Sequence, residues 1–131
     1  MAYNVTTFFV VPKLPRPLED LDVIAHNLWW SWNRDAIDLF RRMDSLLWQT
    51  SGHNPVRMLT MMEQRRLEDL ALDEAFLGHM RRVSEKLKDH FTTRLWYQRS
   101  PDAKPEHRIG YFCAEFGITE ALPIYSGGLG V

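Results

Sequence analysis

The residues best placed to do chemistry lie near the end of the chain. Glu115 follows an apolar run over residues 109–114, Glu120 stands shortly after it, and Ser126-Gly127-Gly128-Leu129-Gly130 follows a breaker at Pro123. Glycines without a Cβ let the backbone approach a ligand closely. The N–H groups exposed there suit an anion such as phosphate, above all where a helix follows. The sequence stops at Val131, so no such helix fits inside it. The cluster lacks the Gly-Lys-Ser/Thr ending of a P-loop, and it is not the GxGxxG dinucleotide fingerprint. A plain turn and an anion or sugar-phosphate loop both accommodate it. The carboxylates also have two readings. A glycosidase pair would have to face each other about 5–10 Å apart, whereas hydrogen bonding that shapes the loop needs no such opposition.

Other reactive types give weaker signals. His26, His53, His79, His90 and His107 include no pair at the i, i+4 spacing of a helical metal site, and Cys113 has no ligand beside it. Metal: none is the expectation. Cys113 sits inside an apolar run, where a thiol is inert. Trp29, Trp30 and Trp32 form a cluster, with Trp48 and Trp96 elsewhere. Such indoles serve either as sugar-stacking platforms or as core packing. If residues 18–32 form one helix, Trp29 and Trp32 share its leucine face, and Trp30 points off that face toward another domain.

The elements that must position these residues can be read from capping and periodicity. Residues 6–11 read as a short strand of β-branched and aromatic residues. Pro12, Pro15 and Pro17 then hold an extended connection. Leu18, Leu21, Ile24, Ala25, Leu28, Trp29 and Trp32 recur at helical spacing. Asn33 suits the N-cap of a second helix, Asp44 that of a third over residues 45–50 ended by Gly52, and Asn54-Pro55 opens a fourth near residues 55–59. Thr60 with Glu63 matches a capping box for a fifth. Asp73 caps the longest, whose stripe of Phe76, Met80, Val83, Leu87, Phe91 and Leu95 runs to about residue 97. Residues 99–107 are polar and hold two prolines, and they read as a linker. A buried strand over residues 109–114 needs ladder partners that residues 6–11 supply only in part. The chain is thus expected to be a piece of a larger protein.

The totals agree with a soluble globular chain. A length of 131 residues fits one core. The 45% hydrophobic and 25% charged fractions exclude a disordered or membrane-spanning composition. A net charge of −1 argues against a nucleic-acid or anionic-membrane partner. A single cysteine allows no internal disulfide, which fits a reducing, cytoplasmic setting. The first residues have neither a basic n-region nor an apolar run long enough for a signal peptide.

Taken together, Tyr111-Phe112-Cys113-Ala114-Glu115-Phe116-Gly117-Ile118 and Leu122-Pro123-Ile124-Tyr125-Ser126-Gly127-Gly128-Leu129-Gly130-Val131 resemble the N-terminal signature of the alpha-glucan phosphorylase family. The likeness is greatest to its shorter bacterial and archaeal branch. Leu28-Trp29-Trp30-Ser31-Trp32, Leu39-Phe40 and Ser51-Gly52-His53-Asn54-Pro55 resemble the helical extension that precedes the catalytic domains there. The resemblance runs from about Leu14 to Val131.

It implies a mainly α chain. A helical N-terminal domain (residues 1–98) and a linker (99–107) would precede residues 108–131. Those would be the first strand and glycine loop of a Rossmann-like catalytic domain of the two-domain, GT-B glycosyltransferase type. The implied reaction cleaves terminal alpha-1,4 bonds of glycogen, starch or maltodextrin with inorganic phosphate, giving glucose 1-phosphate with retention. The implied cofactor is pyridoxal phosphate on a lysine. Backbone N–H groups of Gly127, Gly128 and Leu129 would face the substrate phosphate and glucosyl residue, with Glu115 and Gly130 shaping the loop. The cofactor lysine and the second half would lie after Val131, so this chain is expected to hold no catalytic residue and to be inactive alone. Ser126 departs from the polar residue that other branches carry there. The implied partners are alpha-1,4-glucan and phosphate, with no nucleic acid and no membrane, and oligomerisation is left open. Two alternatives stand beside this reading. One is the N-terminal part of a glycogen or starch synthase-like glycosyltransferase, which would lack the helical extension and place a basic residue before its loop. The other is a non-catalytic helical glucan-binding or interaction module.

Overall fold

A computed structural model describes residues 11–102, 104, 110, 112 and 117–122. Short polar side chains start most of its helices. Asn33 accepts from the Ala36 N–H at 3.3 Å and opens α2 (Arg34–Met43). Asp44 accepts from Leu47 at 2.8 Å and opens α3 (Ser45–Thr50). Asn54 accepts from Arg57 at 3.0 Å, with Pro55 as the first helical residue of α4 (Pro55–Met61). Asp73 accepts from Phe76 at 2.9 Å and opens α6 (Glu74–Thr92). Each side chain satisfies a donor that the first helical turn leaves free. The Phe76 N–H also lowers the carboxyl pKa of Asp73, helped by the nearby Arg42 charge.

The expected single helix over residues 18–32 is broken into three pieces. A 3-10 turn at Arg16–Leu18 leads into α1 (Asp20–Ala25), and a second 3-10 turn spans Leu28–Trp32. The break lies at Asn27, whose extended backbone lets its side chain accept from the Trp29 N–H at 3.0 Å. Asparagine offers the backbone such local alternatives to a helix. Apolar spacing alone does not register them. The break redirects the tryptophans: Trp29 and Trp30 are buried, and Trp32 lies in solvent. This reverses the expected roles of Trp30 and Trp32.

Two further boundaries move. Thr60 caps nothing; it lies inside α4, and its hydroxyl donates to the Arg57 carbonyl. α4 runs on because Met58, Leu59 and Met62 all find buried positions. α5 (Gln64–Leu72) then starts after Glu63 without a side-chain cap. α6 ends at Thr92 rather than near residue 97, with a separate single turn, α7, at Trp96–Arg99. Phe76, Met80, Val83 and Leu87 bury the first part of the α6 stripe, whereas Phe91 and Leu95 are exposed. With no buried apolar residue of the stripe beyond Leu87 among the described residues, the β-branched Thr92 and Thr93 decide the end. The Thr92 hydroxyl donates back to the Lys88 and Asp89 carbonyls. Trp96, in α7, is also exposed.

α6 is the axis of the bundle, packing against α1, α2 and α5, while α3 bridges α2 and α4. The proline-rich lead is held at the start of α5. There the Lys13 N–H donates to Gln64 Oε1 at 2.9 Å, and Gln64 Nε2 donates to the Lys13 carbonyl at 3.1 Å. Among the described residues there is no strand. The strand expected at residues 6–11 and the one at 109–114 fall almost wholly outside those residues.

A polar clamp joins the start of α2 to the middle of α6. His79, almost fully buried, directs Nε2 at Asp35 Oδ1 (2.9 Å), and Lys86 Nζ donates to Asp35 Oδ2 at 2.6 Å. The Lys86 hydrogen bond, with a lesser contribution from His79, holds the Asp35 carboxyl below the usual carboxylate range despite partial burial. A depressed folded-state pKa stabilises the fold fully above the unfolded value of about 3.9, and that contribution is lost as pH falls through the folded value. Asp35→Asn is therefore expected to lower stability at pH 7 by about 1–2 kcal/mol, the worth of a charge-assisted contact partly open to water. The gap between variant and parent should narrow below about pH 4 as the parent carboxylate protonates. Urea unfolding at both pH values measures it.

Candidate functional site

Three aromatic side chains from separate elements meet beneath the only part of the helical body that the described C-terminal segment touches through a hydrogen bond, among the described residues. Phe40 of α2 stacks on Trp48 of α3, with ring centroids 6.1 Å apart and planes 7° from parallel. Trp30, from the 3-10 turn, meets Trp48 edge-on at 5.9 Å and Phe40 edge-on at 6.5 Å. Offset-stacked and edge-to-face contacts are the favoured aromatic geometries. All three rings are buried, so packing, not sugar stacking, describes Trp30 and Trp48.

Above this cluster the chain makes a tight turn. The Ser51 hydroxyl donates to the Trp48 carbonyl at 2.9 Å, and the Gly52 and His53 N–H groups donate to the Gln49 and Trp48 carbonyls. Gly52 has φ 69° and His53 has φ 54°. Glycine adopts this left-handed region freely, but a histidine there is uncommon. His53 is thereby held with its ring 5.3 Å from that of Trp48. Its Nδ1–H donates to Glu120 Oε2, joining positions far apart in the chain.

An open cleft of about 310 Å³ lies here, lined by Trp30, Ser31, Ile37, Arg41, Trp48, His53, Thr119 and Glu120. Its polar groups are largely engaged. Arg41 pairs with Asp38 at 3.1 Å, the Ser31 hydroxyl donates to the Leu28 carbonyl, and Glu120 accepts from His53. Among the described residues this leaves one carboxylate, already hydrogen-bonded, and no opposed acid–base pair or activated nucleophile. The arrangement holds a chain segment in place among the described residues. Among the described residues no cluster of three or more His, Cys, Asp or Glu side chains is placed to hold a metal. Likewise, no helix there is long and apolar enough to cross a membrane.

Gly127, Gly128, Leu129, Gly130 and Glu115 lie outside the described residues. Glu120 is described, and it turns to His53. His53, in the sequence a weak metal-ligand candidate and part of the Ser51–Pro55 word of the resemblance, is the residue that meets the C-terminal segment. The available signal was Gly52-His53-Asn54-Pro55: a glycine ending one helix and a cap-plus-proline opening the next leave the histidine no room for helical backbone.

Residues 14–122 match the family model described as "Protein of unknown function (DUF3417)". The chain belongs to that family. The match covers the helices, the His53 turn and the segment bearing Glu120. Curated relatives at 37–43% identity are phosphorylases. Glycogen phosphorylase of Mycobacterium tuberculosis (strain CDC 1551 / Oshkosh) is 43% identical over 95% of this chain and 15% of its own length. Maltodextrin phosphorylase of Thermococcus litoralis is 37% identical over 91% of this chain and 14% of its own length. Glycogen phosphorylase of Aquifex aeolicus is 37% identical over 86% of this chain and 15% of its own length. The DUF3417 chain thus spans about 15% of the length of these relatives. No solved structure matches it.

The aromatic cluster and the solvent-facing indole should respond differently to truncation. Trp48→Ala is expected to destabilise the bundle by about 3–5 kcal/mol, as for other buried aromatic deletions. Trp32→Ala should stay within about 0.5 kcal/mol of the parent, as at ordinary surface sites. Urea denaturation followed by far-UV circular dichroism distinguishes the two.

Proposed function

We propose that this chain is the N-terminal part of an alpha-1,4-glucan phosphorylase, the helical region standing before a two-domain, Rossmann-like catalytic body. The carrying observation is that relatives named glycogen and maltodextrin phosphorylase align along 86–95% of it. Agreement this long must take in most of the helical region. That weighs against a synthase-like protein without the helical extension, and against a free-standing glucan-binding module. In this reading the complete protein is a cytoplasmic glycosyltransferase of carbohydrate metabolism. It takes glycogen, starch or maltodextrin and inorganic phosphate, and it releases glucose 1-phosphate.

Within this chain the Gly127, Gly128 and Leu129 N–H groups are the proposed phosphate and glucosyl contacts, with Glu115 and Gly130 shaping the loop. Backbone dipoles fixed before substrate arrives stabilise developing charge without having to reorganise. Pyridoxal phosphate, in family terms the source of a phosphate group near the substrate phosphate, does not fit the described residues. Lys13, Lys86, Lys88 and Lys104 do not line the cleft, and Lys86 is committed to Asp35. Its anchor would belong to the catalytic body beyond this chain.

The complete gene product should convert maltodextrin and phosphate to glucose 1-phosphate; transfer that requires a nucleotide sugar instead would favour the synthase-like alternative. Leu129→Pro, which removes one N–H donor, is expected to raise KM for phosphate by about tenfold or more. Leu129→Ala, which keeps the donor, should change it by less than about threefold. Steady-state phosphorolysis with phosphate as the varied substrate measures both.

A further inference from the structure

We infer that His53 is a positioning residue. Through Glu120 it fixes the segment that leads the chain into the glycine loop. The inference rests on the phosphorylase reading only for the role of that loop; the contact itself stands on the geometry.

The turn at Ser51–Asn54 needs left-handed backbone at two successive positions, Gly52 and His53. Glycine would satisfy both with less strain. A histidine at the second position is therefore explained by its side chain. That side chain is braced on one side and loaded on the other: its ring lies against the buried Trp48, and its Nδ1–H donates to Glu120 Oε2. Asn54, the next residue, caps α4, so the backbone on that side is fixed as well.

The segment being held has few other anchors. Residues 117–122 touch the helical body through the His53–Glu120 hydrogen bond, the packing of Ala121 on the core, and the cleft wall formed by Thr119 and Glu120, among the described residues. The Leu122 N–H donates to the Thr119 carbonyl, so Glu120 and Ala121 lie within one tight turn. Pro123 follows at once, and Gly127 and Gly128 come shortly after. The pair is exposed, His53 by 41% and Glu120 by 74% of side-chain area. Exposed pairs of this kind add little to global stability. What the contact supplies is orientation: it sets where the chain leaves the bundle. Misplacing a ligand loop by about 1 Å can cost on the order of a hundredfold in rate, so orientation matters far more here than the strength of the pair.

Two substitutions separate the side chain from the backbone. His53→Gly keeps the left-handed turn and relieves it, but removes the donor. His53→Asn tolerates the same backbone and keeps a side-chain N–H. On the 131-residue chain, amide exchange at residues 117–122 should quicken by about two- to fivefold in His53→Gly and Glu120→Ala, with no further gain in the double variant. His53→Asn should restore much of the protection. In the complete gene product, His53→Gly should raise KM for phosphate by roughly threefold to tenfold, with His53→Asn again intermediate. A turn that matters only for folding predicts the opposite order, with His53→Gly equal to or better than the parent in both measurements. That outcome overturns the inference, as does additive exchange in the double variant. If the parent gene product shows no phosphorolysis, the phosphorylase reading fails, and the exchange measurements alone decide whether His53 holds the segment.

Discussion

The fold depends on the packing of Trp30, Phe40 and Trp48. These rings come from three different elements and leave almost no surface to water. Their mutual geometry sets the angle between α2 and α3 and the place of the 3-10 turn before them. It also provides the floor on which His53 rests. Aromatic contacts of this sort add about 0.5–1.5 kcal/mol per pair beyond burial. Their larger effect is directional, because flat rings fit one another in few ways. A core of leucines alone would bury comparable area without fixing the turn that follows α3.

Around that cluster the bundle is finished by polar contacts at helix ends. Asp35 ties the start of α2 to α6 through His79 and Lys86. The Arg66 guanidinium donates to the Met43 carbonyl at 2.9 Å, satisfying an acceptor at the end of α2. Arg42 reaches Asp73 and the Ala75 carbonyl, and its guanidinium lies 5.8 Å from the centre of the Phe76 ring. These contacts fix rotation and register among helices whose apolar faces alone would allow sliding.

Much of the helical body was legible in the sequence because its signals are local. Asn33, Asp44, Asn54-Pro55 and Asp73 each place a side-chain acceptor beside free N–H groups, and all four open the helices expected of them. Gly52 likewise ends α3 in left-handed backbone. Other boundaries were missed because apolar spacing registers neither a local side-chain cap nor whether a neighbour exists to cover a face. Phe91 and Leu95 keep the α6 rhythm but find no cover among the described residues. Trp32 keeps the α1 rhythm across a break that Asn27 creates. At the candidate site, the meeting of His53 with Glu120 depends on tertiary approach, which no spacing rule encodes. The glycine loop and Glu115 lie outside the described residues, and their assignment rests on resemblance.

The exposed stretch from the end of α6 into α7 bears on how the chain behaves in a tube. Phe91, Leu95 and Trp96 lie close together in sequence and stand in solvent. The chain's net charge is only −1, so copies approaching one another meet little electrostatic repulsion. Sticky surface combined with weak repulsion favours self-association as the isolated chain is concentrated. Added charge near residues 91–96 would oppose it without touching the core.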